Sequence, residues 1–89
     1  MKAIQIIVKG RVQGVSFRRY AMQRALELGI KGFVRNLDSG GVEIVAEGKQ
    51  EDVDEFANIC KIGPDAAEIK ECIVKDMEVK GYKGFEILR

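Results

Sequence analysis

An 89-residue chain that is 46% hydrophobic and 33% charged, with a net charge of +1, has the size of one folded domain, residues 1–89, with a modest core. That balance excludes a disordered chain, and apolar runs of only a few residues exclude a membrane-spanning helix. Two cysteines, Cys60 and Cys72, are too few for a disulfide scaffold, and without histidine or close spacing they make no zinc site.

The opening "MKAIQIIVKG" carries a lysine but no long apolar region or small-residue cleavage site, so it reads as a strand rather than a signal peptide. A cytoplasmic location is the default expectation. Within it, Ile4, Ile6 and Val8 alternate with Gln5, Ile7 and Lys9, as in a half-buried strand over 2–9. A glycine-framed stretch, "GRVQG", follows. "SFRRYAMQRALELG" then has helical spacing, with Ser16 as a candidate N-cap, Phe17, Ala21, Ala25 and Leu28 on one face, and Gly29 as the stop.

Residues 30–37, "IKGFVRNL", read as a second strand and "DSGG", 38–41, as a turn. "VEIVAE" places Val42, Ile44 and Ala46 on one face of a third strand, closing a hairpin. "QEDVDEFANICKI" predicts a second helix, with acids in its first turn and a Val53, Phe56, Ala57, Cys60 stripe. Gly63-Pro64 ends it. Residues 68–79 form a long charged fourth strand, and "GFEIL" a short fifth. The order βαββαβ plus a terminal strand is an α+β, ferredoxin-like sandwich: an antiparallel sheet with two helices on one face and a short extra C-terminal strand. The two cysteines are expected as half-buried thiols; a bridge would need their Cα atoms within about 7 Å.

Charge is uneven. Residues 1–36 hold eight Lys/Arg against one acid, and residues 37–89 seven against thirteen. A local positive field near residues 10–36 favours an anionic ligand. The glycine stretch lies between a strand and a helix, where free amides and the positive dipole end point into the loop. Gly10 and Gly14 let main-chain amides crowd an anion, and Arg18 in the first helical turn can hold two of its oxygens. Physical reasoning alone leaves two readings: an oxyanion site, or a tight turn with solvated arginines.

The run Gly10-Arg11-Val12-Gln13-Gly14-Val15-Ser16-Phe17-Arg18 closely resembles the signature of the acylphosphatase family. So do Gly32-Phe33-Val34-Arg35-Asn36-Leu37 with Asp38-Ser39-Gly40-Gly41-Val42, the Gly63-Pro64 pair with Ala67, and Gly84-Phe85-Glu86-Ile87. The resemblance covers nearly the whole chain in order. Ser16 stands where many relatives have an aromatic or glycine, and Asp38-Ser39 where a Pro-Asp pair is frequent; neither is a catalytic position in the family.

The resemblance implies hydrolysis of the carboxyl–phosphate bond of acyl phosphates. It implies that amides of Val12, Gln13, Gly14, Val15, Ser16, Phe17 and Arg18 cradle the phosphate, that the Arg18 side chain binds it, and that Asn36 positions the water. No metal or organic cofactor is implied. The expected ligands are a small acyl phosphate and, competitively, inorganic phosphate or sulfate; no nucleic acid or membrane partner is expected, and the chain is expected to be a monomer. Two rival readings share the layout. One is a non-hydrolytic acyl-phosphate or carbamoyl-phosphate-binding module. The other is an RNA-recognition domain, echoed in "KGFVRNL" but lacking a stacking aromatic on the first strand.

Overall fold

The computed structural model describes residues 1–89. Its elements follow in the order β1 (Lys2–Arg11), α1 (Phe17–Leu28), β2 (Lys31–Asn36), β3 (Val42–Gly48), α2 (Gln50–Ile62), β4 (Glu68–Met77) and β5 (Phe85–Leu88). The strands form one sheet in the order β4-β1-β3-β2-β5. The β1–β3, β1–β4 and β2–β3 pairs are antiparallel, as the ferredoxin-like layout requires, and β5 adds in parallel beside β2. No helix is long and apolar enough to cross a membrane.

Period-two patterning sets the core. Ile4, Ile6 and Val8 of β1 stand opposite Ala46, Ile44 and Val42 of β3, and all six are buried under the helices. Phe17, Ala21 and Ala25 of α1 and Val53, Phe56 and Cys60 of α2 close the layer, with Phe56 meeting Phe85 edge-on at 5.9 Å. Helix α2 has Glu51 and Asp52 in its first turn and Lys61 in its last, each sign favoured by the dipole. It stops at Gly63, whose N–H donates to the Ile59 carbonyl at 2.9 Å. Both cysteines are free: Cys60 is fully buried and Cys72 half-buried, and burial pushes each thiol up from its usual range.

The helix-free face departs from the expected pattern. Every residue of β3 is buried, including Glu43, Val45 and Glu47, which point away from the helices. At Glu47 the cause is topological. Strand β4 lies on one edge of the sheet and β5 on the other, so residues 78–84 must cross it. Glu47 meets the crossing segment: its carboxylate accepts N–H bonds from Lys80, from Gly81 at 3.1 Å and from Tyr82 at 3.0 Å. Tyr82 stacks edge-on against Phe33 at 5.9 Å. Glu43 accepts from Gln5 at 2.6 Å and from the Arg35 guanidinium at 2.5 Å. Neither buried carboxylate is left without donors, as burial demands.

Replacing Glu47 with Gln leaves one acceptor oxygen for three donors and turns an NH2 group toward them. Glu47→Gln is expected to cost about 2–4 kcal/mol. For a domain of this size that lowers the melting temperature by roughly 10–20 °C in circular-dichroism melts. A shift under about 3 °C would show that something else anchors the crossing.

Candidate active site

Three strands that run in the same direction, β1, β2 and β5, deliver their C-terminal ends to one end of the sheet. The loop after β1 leads into α1 there. Asn36 ends β2, and Arg89 follows the last residue of β5. These ends and the first turn of α1 enclose a cavity of about 350 Å³, within the range of small-ligand sites.

Gly10, expected to open the loop, belongs to β1. The β1–β4 ladder shifts register between Lys9 and Gly10, which bends the end of the strand. Gly10 has φ 128°, and a Cβ there would lie 2.2 Å from the Glu68 carbonyl oxygen. Close approach to β4 is therefore what demands glycine at 10. Gly14 is different: φ is 73° and a Cβ there would meet nothing within 4 Å, so only its left-handed backbone favours glycine. Ser16 is left-handed too, with φ 62° and ψ 24°. It occupies the N-cap position, but not in the extended conformation of a capping serine, and its hydroxyl makes no capping bond.

Left-handed residues at 14 and 16 alternate with negative φ at 13, 15 and 17, a pattern that turns successive amides to one side. From Val12 to Arg19 no backbone N–H donates to any protein acceptor. Across the cavity, Asn36 Oδ1 is buried and accepts no hydrogen bond from the protein. One side of the cavity thus offers unpaired donors, and the other an unpaired acceptor.

Five of the seven residues expected in the loop line the cavity: Val12, Gly14, Ser16, Phe17 and Arg18, joined by Asn36. Gln13 and Val15 do not. Gln13 Nε2 donates to the carbonyls of Leu37 at 2.7 Å and Gly41 at 2.9 Å, tying the loop to the β2–β3 turn. Val15 packs on the core. Arg19, Ile87 and Arg89 also line the cavity. Arg19 reads from sequence as a solvated helix residue, and only the parallel pairing of β5 with β2 brings Ile87 and Arg89 in. The lining contains no carboxylate, thiol or histidine side chain.

The acylphosphatase family model matches residues 4–87. An acylphosphatase from Methylococcus capsulatus is 46% identical over 90 residues, covering 100% of this chain and 98% of that one. The crystal structure of an acylphosphatase from Bacillus subtilis is similar with a TM-score of 0.96 and 34% identity, over 100% of both chains. HypF from T. kodakarensis is similar with a TM-score of 0.85 and 36% identity, over 100% of this chain and 12% of that longer one.

The left-handed turn at Ser16 yields a stability test. A β-branched side chain is far worse there than serine, whereas glycine fits without strain. Ser16→Val is expected to lower the melting temperature by roughly 5–10 °C, and Ser16→Gly to keep it within about 3 °C of the parent. Equal melting temperatures for the two variants would contradict the left-handed assignment.

Proposed function

This chain belongs to the acylphosphatase family and is an enzyme that hydrolyses acyl phosphates, and we propose that it does so with the 12–18 loop amides and Arg18 on the phosphate and with Asn36 on the attacking water. The observation that carries this reading is the unbroken run of unpaired N–H donors from Val12 to Arg19. A phosphoryl dianion supplies acceptors of matching number and charge, at a helix N-terminus whose dipole favours it. Arg18 stands in the first turn of α1 and makes no ion pair within the protein, so its planar fork is free for two phosphoryl oxygens.

Asn36 Oδ1 supports the second assignment. A water that donates to this oxygen is oriented by a neutral group that competes for no proton. The carboxylate leaving group derives from an acid with a pKa of about 4, so it departs without a general acid. Phosphoryl transfer then depends on placing the water in line and on stabilising charge at the phosphoryl oxygens. With no acidic or imidazole side chain in the lining, the substrate's own phosphate takes the water's proton. A monomeric, cytoplasmic protein needing neither metal nor organic cofactor belongs to the same reading, as does competitive inhibition by phosphate or sulfate.

The second reading, a non-hydrolytic acyl-phosphate or carbamoyl-phosphate-binding module, would use the same loop amides and Arg18 but gives the unpaired Asn36 Oδ1 no task. An RNA-binding reading gains no support, because the helix-free face carries Glu43 and Glu47 and is crossed by residues 78–84.

Turnover of benzoyl phosphate by the purified chain separates hydrolase from binding module. Arg18→Ala is expected to cost about 3–4 kcal/mol of transition-state stabilisation, near loss of activity; turnover within a few-fold of the parent rejects its role. Asn36→Ala should lose kcat while phosphate still binds and still raises the melting temperature by mass action. The pH dependence of kcat/KM should follow ionisation of the substrate phosphate alone. A further break between pH 5 and 9 that disappears on replacing one protein carboxylate would overturn the substrate-assisted proton transfer.

A further inference from the structure

The cavity holds more positive charge than one phosphoryl group uses. Arg18, Arg19 and Arg89 all line it, none of the three forms an ion pair, and no carboxylate side chain lies in the lining. Some cations elsewhere are matched, Lys2 with Asp54, Arg24 with Glu27 and Arg35 with Glu43, and the unpaired ones outside the cavity do not share a cavity lining. Arg19 and Arg89 are thus surplus guanidiniums beside a site already furnished with amide donors and Arg18.

Strand geometry fixes where one of them lies. In β5, Phe85 is buried in the core and Ile87 packs against it, so the alternation puts residue 89 on that same side of the sheet. Arg35 is the parallel partner of Leu88, and the next residues, Asn36 and Arg89, end level with each other. Ile87 precedes Arg89 by two residues, about 6–7 Å along the strand. An acyl chain leaving the phosphoryl site past Asn36 therefore meets an apolar surface at Ile87 and, beyond it, the cation of Arg89.

Resting on the phosphate placement given above, the geometry points to a preference for acyl phosphates whose acyl part ends in a second anion, with Arg89 as its main contact and Arg19 as a supporting one. Both are specificity-determining residues that bind the substrate's far end; neither touches the reacting atoms.

Succinyl phosphate and butyryl phosphate have the same chain length and differ in the terminal carboxylate. The purified full chain is expected to show a kcat/KM for succinyl phosphate about tenfold above that for butyryl phosphate at low salt, the scale of one hydrogen bond to a charged group. The preference should lie in KM and shrink as salt screens it. In Arg89→Gln the ratio should fall toward one, Arg89→Lys should recover part of it, and Arg19→Gln should lower it by a smaller factor. Arg24→Gln, outside the cavity, should leave the ratio where it was. Equal kcat/KM for the two substrates, or a ratio indifferent to both Arg89→Gln and Arg19→Gln, overturns this inference while leaving the hydrolase reading intact. Hydrolysis of neither substrate overturns the hydrolase reading, and this inference with it.

Discussion

A backbone N–H withdrawn from its ladder must find an acceptor, and from Val12 to Arg19 none is available within the protein. This deficit organises the active edge of the molecule. It begins where β1 slips register against β4 at Gly10, because a bulge ends orderly pairing and re-aims the chain. It is sustained by left-handed residues at 14 and 16 and ends where α1 first satisfies its own donors, with the Tyr20 N–H bonded to the Ser16 carbonyl. Gln13 keeps this electropositive arc from collapsing by fastening it to the β2–β3 turn. In the proposed reading the anion is met by donors fixed before it arrives, which is what preorganised charge stabilisation requires.

The charge imbalance visible along the chain becomes more selective in three dimensions. Of the cations in the first 36 residues, Lys2, Lys9, Arg24 and Arg35 face acids from elsewhere or from their own helix. Arg11, Arg18, Arg19 and Lys31 do not; of these the fold brings Arg18 and Arg19 to the cavity and adds Arg89 from the far end of the chain. Three unpaired guanidiniums thus share one cavity although the net charge is only +1.

Elements governed by local signals are legible in the sequence. Helix α2 begins at Gln50 and ends at Ile62 as its acids, apolar stripe and Gly63-Pro64 require. Arg18 and Asn36 are legible too, through motifs carried by short contiguous runs. What is not legible depends on partners distant along the chain. Gly10 looks like a loop residue until β4 is seen pressing on it. Ser16 has the composition of a capping residue but a backbone that forbids that geometry. Glu43 and Glu47 alternate like solvent-facing acids; Glu47 is met by a crossing some thirty residues later, and Glu43 by Gln5 and Arg35 of the neighbouring strands. Arg89 enters the site only through strand order, which no local pattern encodes.

The crossing over the helix-free face also divides the molecule into parts of unequal persistence. Strand β5 has four residues, lies at an edge and pairs with one neighbour, so its hold on the sheet rests on that ladder, on buried Phe85 and on the Glu47 anchorage upstream. Short edge segments of this kind belong at the low end of the local stabilities that amide exchange reads. Opening would carry Ile87 and Arg89 away together and leave the phosphate arc standing. The cavity is thus walled by parts of unequal hold, its far side by the hem of the sheet.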